Sequence, residues 1–317
     1  MSNSRESKPV IPIITGPTAS GKTGVALRLL EQNPDIPIIS ADSRQIYKYL
    51  SIGTDKPEPA LLKKYDFHLV DFVEPGDRYT AFDFADDARR LIAEALPENR
   101  LPLICGGTGL YIKALTEGIV EISDDDMNIR ARLEEEAIEK GPKHLFERLE
   151  AVDPLEARKT HPHNIKRIIR ALEIFELTGR SKSEIIAAGN KKYDDYFYKI
   201  YCLMPPREQL YSRINKRVDE MIDAGLIDEV ENLVKSGRRK NVEKVNVIGY
   251  AELFRYFDNE LSLDSAVNLI KQNTRRFAKR QITWFRGMAN LHYLTEPDEA
   301  YGVLRMFFSD KGRLNLT

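Results

Sequence analysis

The chain has 317 residues, a length that suits two domains or one domain with an insertion. Hydrophobic residues make up 42% and charged residues 31%, the balance of a globular protein with ample core, and no apolar run approaches the roughly 20 residues of a membrane span. A formal net charge of −1 excludes a protein that simply coats nucleic acid, and two cysteines exclude a disulfide framework.

The polar start, residues 1–8, lacks the apolar core of a signal peptide, so a cytoplasmic protein with no membrane association is expected. Residues 10–14 (VIPII) read as a buried strand. Gly16, Pro17, Thr18, Ala19, Ser20, Gly21, Lys22 and Thr23 then match the phosphate-binding loop pattern GxxxxGK[ST] in full. Val25, Ala26, Leu29 and Leu30 fall at helical spacing behind it, and Asn33-Pro34 closes that helix. Glycines let backbone N–H groups converge on an anion at a helix N-terminus. Lys22 would reach the outer phosphate, and the Thr23 hydroxyl would hold Mg²⁺. The loop says that a polyphosphate binds, without saying which.

Residues 36–40 read as a second strand, followed by Asp42. Ligands of an open parallel sheet bind beyond the carboxyl ends of its strands, so Asp42 should face the loop's ligand. A carboxylate there accepts a proton from an incoming nucleophile or holds Mg²⁺ through water; capping a turn is the alternative. Residues 68–72 are a possible short strand, and Thr80 is placed to cap a helix carrying Phe82, Phe84, Ala85, Ala88, Leu91, Ile92 and Leu96. The strand at 101–105 ends in Gly106-Gly107-Thr108-Gly109, where a Walker-type NTPase would place a Mg²⁺-linked acid, which disfavours ATP hydrolysis. These glycines admit close approach by a ligand or form a plain tight turn. A helix follows from Leu110. Strands alternating with helices predict an α/β core: a parallel sheet with helices on both faces.

From 116 to 192 strand signals vanish and helical patterns take over at 127–140, 143–151, 164–177 and 183–188, an all-helical insertion in a core formed by 1–115 and 193–317. Residues 121–126 (EISDDD) are acidic, whereas 157–172 hold Arg158, Lys159, Lys166, Arg167 and Arg170 with no acid. Ile165, Ile168, Ile169, Leu172 and Phe175 share one helical face there. The basic face is an ordinary surface helix by default, or a contact for a phosphate backbone. His161 and His163 make weak metal ligands and read as a loop meeting the helix start. Residues 198–204 return to a strand. The helical pattern from Arg207 is broken near Gly225 and ends at Ser236-Gly237; its Arg213, Lys216 and Arg217 read as a solvated face, with a lid over phosphate as the alternative. Two more helices and a strand at 291–294 complete the tail. Residues 271–286 carry six basic residues and no acid, with Phe277, Trp284 and Phe285 either stacking bases or anchoring the helix. Anchoring is expected of Trp284. Cys105 and Cys202, in apolar strand-like runs, are expected to be buried free thiols.

Taken together the motifs resemble the tRNA dimethylallyltransferases, also called tRNA isopentenyltransferases. The segments that carry the resemblance are GPTASGKT (16–23), ADSRQIY (41–47), IGTDKP (52–57), GGTGLY (106–111), RIIRALE (167–173), VIGY (247–250) and RFAKRQITWFR (276–286), in the family's order over nearly the whole chain. Asp55 departs from the pattern, where an uncharged residue such as Ala is more familiar. The lack of a zinc-finger extension after residue 317 fits the bacterial form. The resemblance implies Mg²⁺-dependent transfer of a dimethylallyl group from dimethylallyl diphosphate to N6 of the adenine at position 37, immediately 3′ of the anticodon, in tRNAs reading UNN codons. It implies that Asp42 deprotonates the amine, that Thr18 donates to the bridging oxygen of the leaving group, and that Lys22, Thr23-held Mg²⁺ and Arg217 neutralise the pyrophosphate. Ser43, Arg44 and Gln45 would contact the flipped base and its neighbours, with Thr108 and Arg130 close by. Lys166, Arg167, Ile168, Ile169 and Arg170 of the insertion, and Lys279, Arg280, Gln281 and Arg286 of the tail, would meet the anticodon stem-loop. A monomer is expected. A phosphate-loop kinase of small molecules and a non-catalytic RNA-binding NTPase switch are the rival readings.

Overall fold

In the computed structural model the described residues are 8–118, 127–188 and 195–309; the acidic run 121–126 lies outside them. The chain divides into two compact units, Met1–Thr116 with Asp194–Thr317, and Glu117–Tyr193.

The larger unit is built on six strands: β1 (Val10–Thr15), β2 (Ile38–Ser40), β3 (Phe67–His68), β4 (Leu103–Cys105), β5 (Phe197–Leu203) and β6 (Leu291–Leu294). They form one parallel sheet in the order β3-β2-β4-β1-β5-β6. The apolar runs of β1, β2 and β4 suit a pleated sheet covered on both sides. Ile14, Ile38, Leu103 and Tyr201 pack on one face against Val25, Leu29 and Leu30 of the helix Lys22–Gln32 and Leu304 of the helix Pro297–Leu304. Ile13, Ile39, Ile104 and Ile200, of opposite parity, are also buried, so the other face is covered too. Parallel pairing sends the carboxyl ends of β1, β2 and β4 to the same edge, which brings the phosphate loop, Asp42 and Gly106 together although they are far apart in sequence.

Several boundaries differ from the sequence reading. Strands β2 and β4 start later than expected because Pro37 and Pro102 have no N–H for the ladder. The strand expected at 68–72 is confined to Phe67–His68, since Leu69 and Asp71 adopt left-handed backbone at φ 59. Thr80 does cap its helix, Ala81–Ala95: it accepts from the Asp83 N–H at 3.2 Å while Asp83 accepts from the Thr80 N–H at 2.7 Å. Among the described residues the tail holds four α-helices rather than two, Arg239–Val245, Tyr250–Phe257, Leu263–Arg286 and Pro297–Leu304; the short ones have too few turns for a periodic signal.

The smaller unit is helical, with helices Met127–Glu139, Gly141–Val152, Pro154–Ala157, Ile165–Thr178 and Lys182–Ala187. Its own core gathers Leu133, Leu145, Leu149, Ile168, Ile169 and Leu172. Among the described residues no helix is long and apolar enough to cross a membrane.

Candidate active site

Strand β1 delivers the phosphate loop at the carboxyl edge of the sheet. Gly16 and Gly21 have φ of 142 and 103°, and Ala19 is left-handed at φ 60°, a backbone course that forms an anion-binding concavity. Gly21 caps the helix Lys22–Gln32 with no side-chain hydrogen bond, which leaves first-turn N–H groups for an anion. Lys22 Nζ folds back on the loop, donating to Pro17 O at 2.7 Å and Ser20 Oγ at 3.3 Å. Burial lowers its pKa from the usual 10.5, and the nearby Asp42 carboxylate offsets part of that effect. Cys105 is partly buried at the same place, its thiol pushed up to about 11 by burial, and Cys202 is fully buried and pushed up to about 12. Both are free and protonated near neutral pH.

A cavity of about 610 Å³ opens over the loop, lined among others by Lys22, Thr23, Asp42, Gly107, Arg217 and Arg280. Asp42 caps its turn and stands in the cavity lining. Its Oδ1 accepts the backbone N–H of Arg44 at 2.8 Å and of Gln45 at 3.4 Å, capping the turn, while Oδ2 makes no hydrogen bond among the described residues. The cap fixes the carboxylate at the cavity wall. Beside it Thr108 Oγ1 accepts from Ser43 N–H at 2.9 Å and donates to Ser43 Oγ at 3.2 Å. Arg44 Nη1 donates to Val245 O at 2.8 Å, and Gln45 Nε2 to Asp55 O at 2.8 Å. Thr23 also lines the cavity.

The solvated-face reading of Arg213 and Arg217 is corrected. One turn apart on the helix Arg207–Asp223, both turn to the loop: Arg213 Nη1 donates to Ser20 O at 3.4 Å, and Arg217 Nη1 donates to Thr18 Oγ1 at 2.9 Å. Lys216 alone takes the solvent side, pairing with Glu220 at 3.2 Å. Gln281 is corrected as well. It is buried rather than presented to a polymer, and both ends of its amide brace the site: Oε1 accepts from Thr18 N–H at 2.9 Å, and Nε2 donates to Gly107 O at 2.9 Å. The glycines of 106–109 answer to the protein itself. A Cβ on Gly106 would stand 2.2 Å from Ala41 O, and one on Gly109 2.2 Å from the Trp284 indole.

One residue that the sequence did not reveal holds two of the motifs together. Glu229, on the helix Leu226–Lys235, accepts the N–H groups of Ser51 at 3.1 Å, Ile52 at 2.9 Å and Gly53 at 3.4 Å, and the Tyr250 hydroxyl at 2.5 Å. Gly53 is needed because a Cβ would lie 2.5 Å from the Tyr250 ring. A lone acid on an amphipathic helix carries no signal of such a task.

Trp284 anchors its helix only in part: its indole packs on Gly109, yet it is 43% exposed, and Phe285 is the buried anchor. Spacing alone could not separate adjacent aromatics on a helix. Trp284 lies with Lys113, Lys279, Arg280 and Met288 around a second hollow of about 530 Å³, and Arg280 borders both hollows. Lys279 and Arg286 are exposed on the same helix.

In the smaller unit Ile168 and Ile169 are core residues, not surface contacts. Lys166 is exposed, without an ion pair among the described residues. Arg167 Nε donates to Glu156 Oε1 at 2.8 Å, and Arg170 Nη1 to Glu173 Oε2 at 2.9 Å, so acids just outside the basic stretch turn in to meet it. Arg130 lies 3.9 Å from Glu173. Burial raises the Glu156 pKa, but hydrogen bonds from Arg167 and Lys182 outweigh that and hold it below its usual value. Arg167→Ala is therefore expected to lower thermal stability by about 1–2 kcal/mol, read by calorimetry, because Glu156 stays buried with half its partners. His161 and His163 are exposed, in a loop leading to the Asn164 cap, and no described cluster of three or more His, Cys, Asp or Glu side chains is arranged to hold a metal.

A family model described as IPP transferase matches residues 45–288, and one described as isopentenyl transferase matches residues 9–71. The chain is 40% identical over 304 residues to tRNA dimethylallyltransferase 1 of Syntrophotalea carbinolica, covering 96% of each. It is 44% identical over 289 residues to tRNA dimethylallyltransferase of Geobacillus kaustophilus, covering 91% of each. It is similar in structure to the full-length tRNA isopentenylpyrophosphate transferase of Bacillus halodurans, with TM-score 0.67 and 35% identity over 97% of this chain and 99% of that one.

Proposed function

We propose, from the premise that the chain belongs to the IPP transferase family of tRNA dimethylallyltransferases, that it moves a dimethylallyl group from dimethylallyl diphosphate to N6 of the adenine 3′ of the anticodon in tRNAs reading UNN codons. The observation that carries the reading is one cavity in which a phosphate loop, a fixed carboxylate and a loop-facing arginine meet, with glycines where an NTPase acid would stand. A diphosphate suits the loop as well as a nucleotide does.

In this reading the loop N–H groups, Lys22 and Arg217 hold the diphosphate. Arg217 donates to the Thr18 oxygen, which leaves the Thr18 hydroxyl proton for the bridging oxygen of the leaving group. The adenine must leave its stack to enter the cavity, where Ser43, Arg44, Gln45 and Thr108 lie around Asp42. Its N6 attacks the allylic carbon, the carbon–oxygen bond to diphosphate breaks, and the N6 proton passes to Asp42. The amine is a poor nucleophile and a very weak acid, so its proton leaves with bond formation or just after. The Thr23 hydroxyl, Asp42 and the phosphate oxygens would offer the all-oxygen set that suits Mg²⁺. Bound there, the ion would add positive charge against the departing pyrophosphate.

The tRNA side rests on Lys166 in the helical unit and on Lys279, Arg280, Arg286 and the exposed Trp284 in the core unit. Trp284→Ala is expected to weaken tRNA binding roughly tenfold, about one stacked base, while leaving pyrophosphate affinity unchanged; filter binding and calorimetry read the two. Lys166→Ala is expected to reduce the slope of log affinity against log salt by about one counter-ion. The reading is tested by supplying Mg²⁺, unmodified tRNA and labelled dimethylallyl diphosphate in one reaction and labelled ATP in a parallel one. Label is expected in tRNA from the prenyl donor alone; transfer of phosphate from ATP to a small acceptor would make the chain a kinase.

A further inference from the structure

We propose that Asp55 is a positioning residue, a built-in counter-ion that holds Arg217 at the phosphate loop and releases it when a diphosphate enters; the inference rests on the diphosphate reading above. Asp55 ends the short turn Ile52–Thr54 with its backbone in the left-handed region at φ 54°. That backbone is pinned. Asp55 N–H donates to Ile52 O at 3.0 Å, Gln45 Nε2 donates to Asp55 O at 2.8 Å, and Glu229 caps the turn from the other end. From this fixed root, Asp55 Oδ2 lies 3.3 Å from Arg217 Nη2, while Nη1 of the same guanidinium donates to Thr18 Oγ1 at 2.9 Å. The fork thus spans a carboxylate and the loop, and all three residues line the cavity.

A planar guanidinium offers the same pair of donors to a carboxylate or to phosphate oxygens. An incoming diphosphate therefore competes with Asp55 for Arg217, which weakens diphosphate binding and favours release of the pyrophosphate product. Thr18 meanwhile keeps its oxygen engaged before substrate arrives. The Asp55 side chain is 52% exposed, and solvent screening limits the effect to a few-fold.

The test is the affinity of the full chain for inorganic pyrophosphate with Mg²⁺, measured by calorimetry. Asp55→Asn removes the charge while Asn tolerates the left-handed backbone. It is expected to bind pyrophosphate roughly three- to fivefold tighter, whereas a merely damaged turn would bind more weakly. In an Arg217→Gln background most of that gain is expected to vanish, because Asp55 acts through Arg217. If Arg217→Gln weakens pyrophosphate binding but Asp55→Asn leaves it unchanged or weaker, the counter-ion role is wrong while the diphosphate site stands. If Arg217→Gln leaves pyrophosphate affinity unchanged, the diphosphate reading falls and this inference falls with it.

Discussion

Asp42→Asn is expected to lower kcat for prenyl transfer by roughly 10²–10⁴-fold while tRNA affinity stays within a few-fold. The choice of Asn follows from the geometry. Asp42 Oδ1 caps the turn that carries Arg44 and Gln45, and an Asn oxygen keeps that cap, whereas Ala would remove it at a cost of about 1 kcal/mol and disturb the neighbours. Asn cannot take up the proton released by the adenine amine. Single-turnover kinetics with saturating tRNA separate the two functions of the residue. A variant with near-full turnover would leave Asp42 as a cap alone.

Lys22→Met is expected to cut kcat/KM for dimethylallyl diphosphate by roughly 10²–10³-fold, the scale of losing one well-placed charge stabiliser. It also has a signature in stability. Burial lowers the Lys22 pKa in the folded protein below the 10.5 of the unfolded chain. Between those two values the unfolded state binds more protons than the folded one, so stability gained from this group rises with pH across that window. Lys22→Met removes this rise. Diphosphate binding runs the other way: it needs the protonated amine, so affinity falls as pH climbs through the lowered pKa. Urea titrations and pyrophosphate calorimetry at several alkaline pH values check both slopes.

The parts of the site legible in the sequence are those whose chemistry is local. The phosphate loop needs its residues within one strand–loop–helix passage, and Asp42 is placed by the general rule that ligands sit beyond parallel strand ends. The alternation of apolar strands and amphipathic helices likewise foretold the parallel sheet. What escaped the sequence depends on partners far along the chain. Whether Arg217 faces Thr18 or water is set by how its helix packs, and Arg213 and Lys216 share the same local pattern yet point in different directions. Gln281 looked like a polar residue in a basic stripe, but its two ends bind Thr18 and Gly107. Ile168 and Ile169, by contrast, were legible: their spacing puts them on an apolar helical face, and they lie in the core rather than among the RNA contacts that the resemblance implies.

The central claim is that the loop holds a leaving group, and that the carbon tail, not a phosphate, is what moves. Dimethylallyl diphosphate carrying tritium in the prenyl group and ³²P in the diphosphate tests it in one reaction with unmodified tRNA and Mg²⁺. Tritium is expected in the tRNA adenine and ³²P as free pyrophosphate, in equal amounts. Appearance of ³²P in the tRNA, or release of pyrophosphate with no tritium transferred, would contradict it.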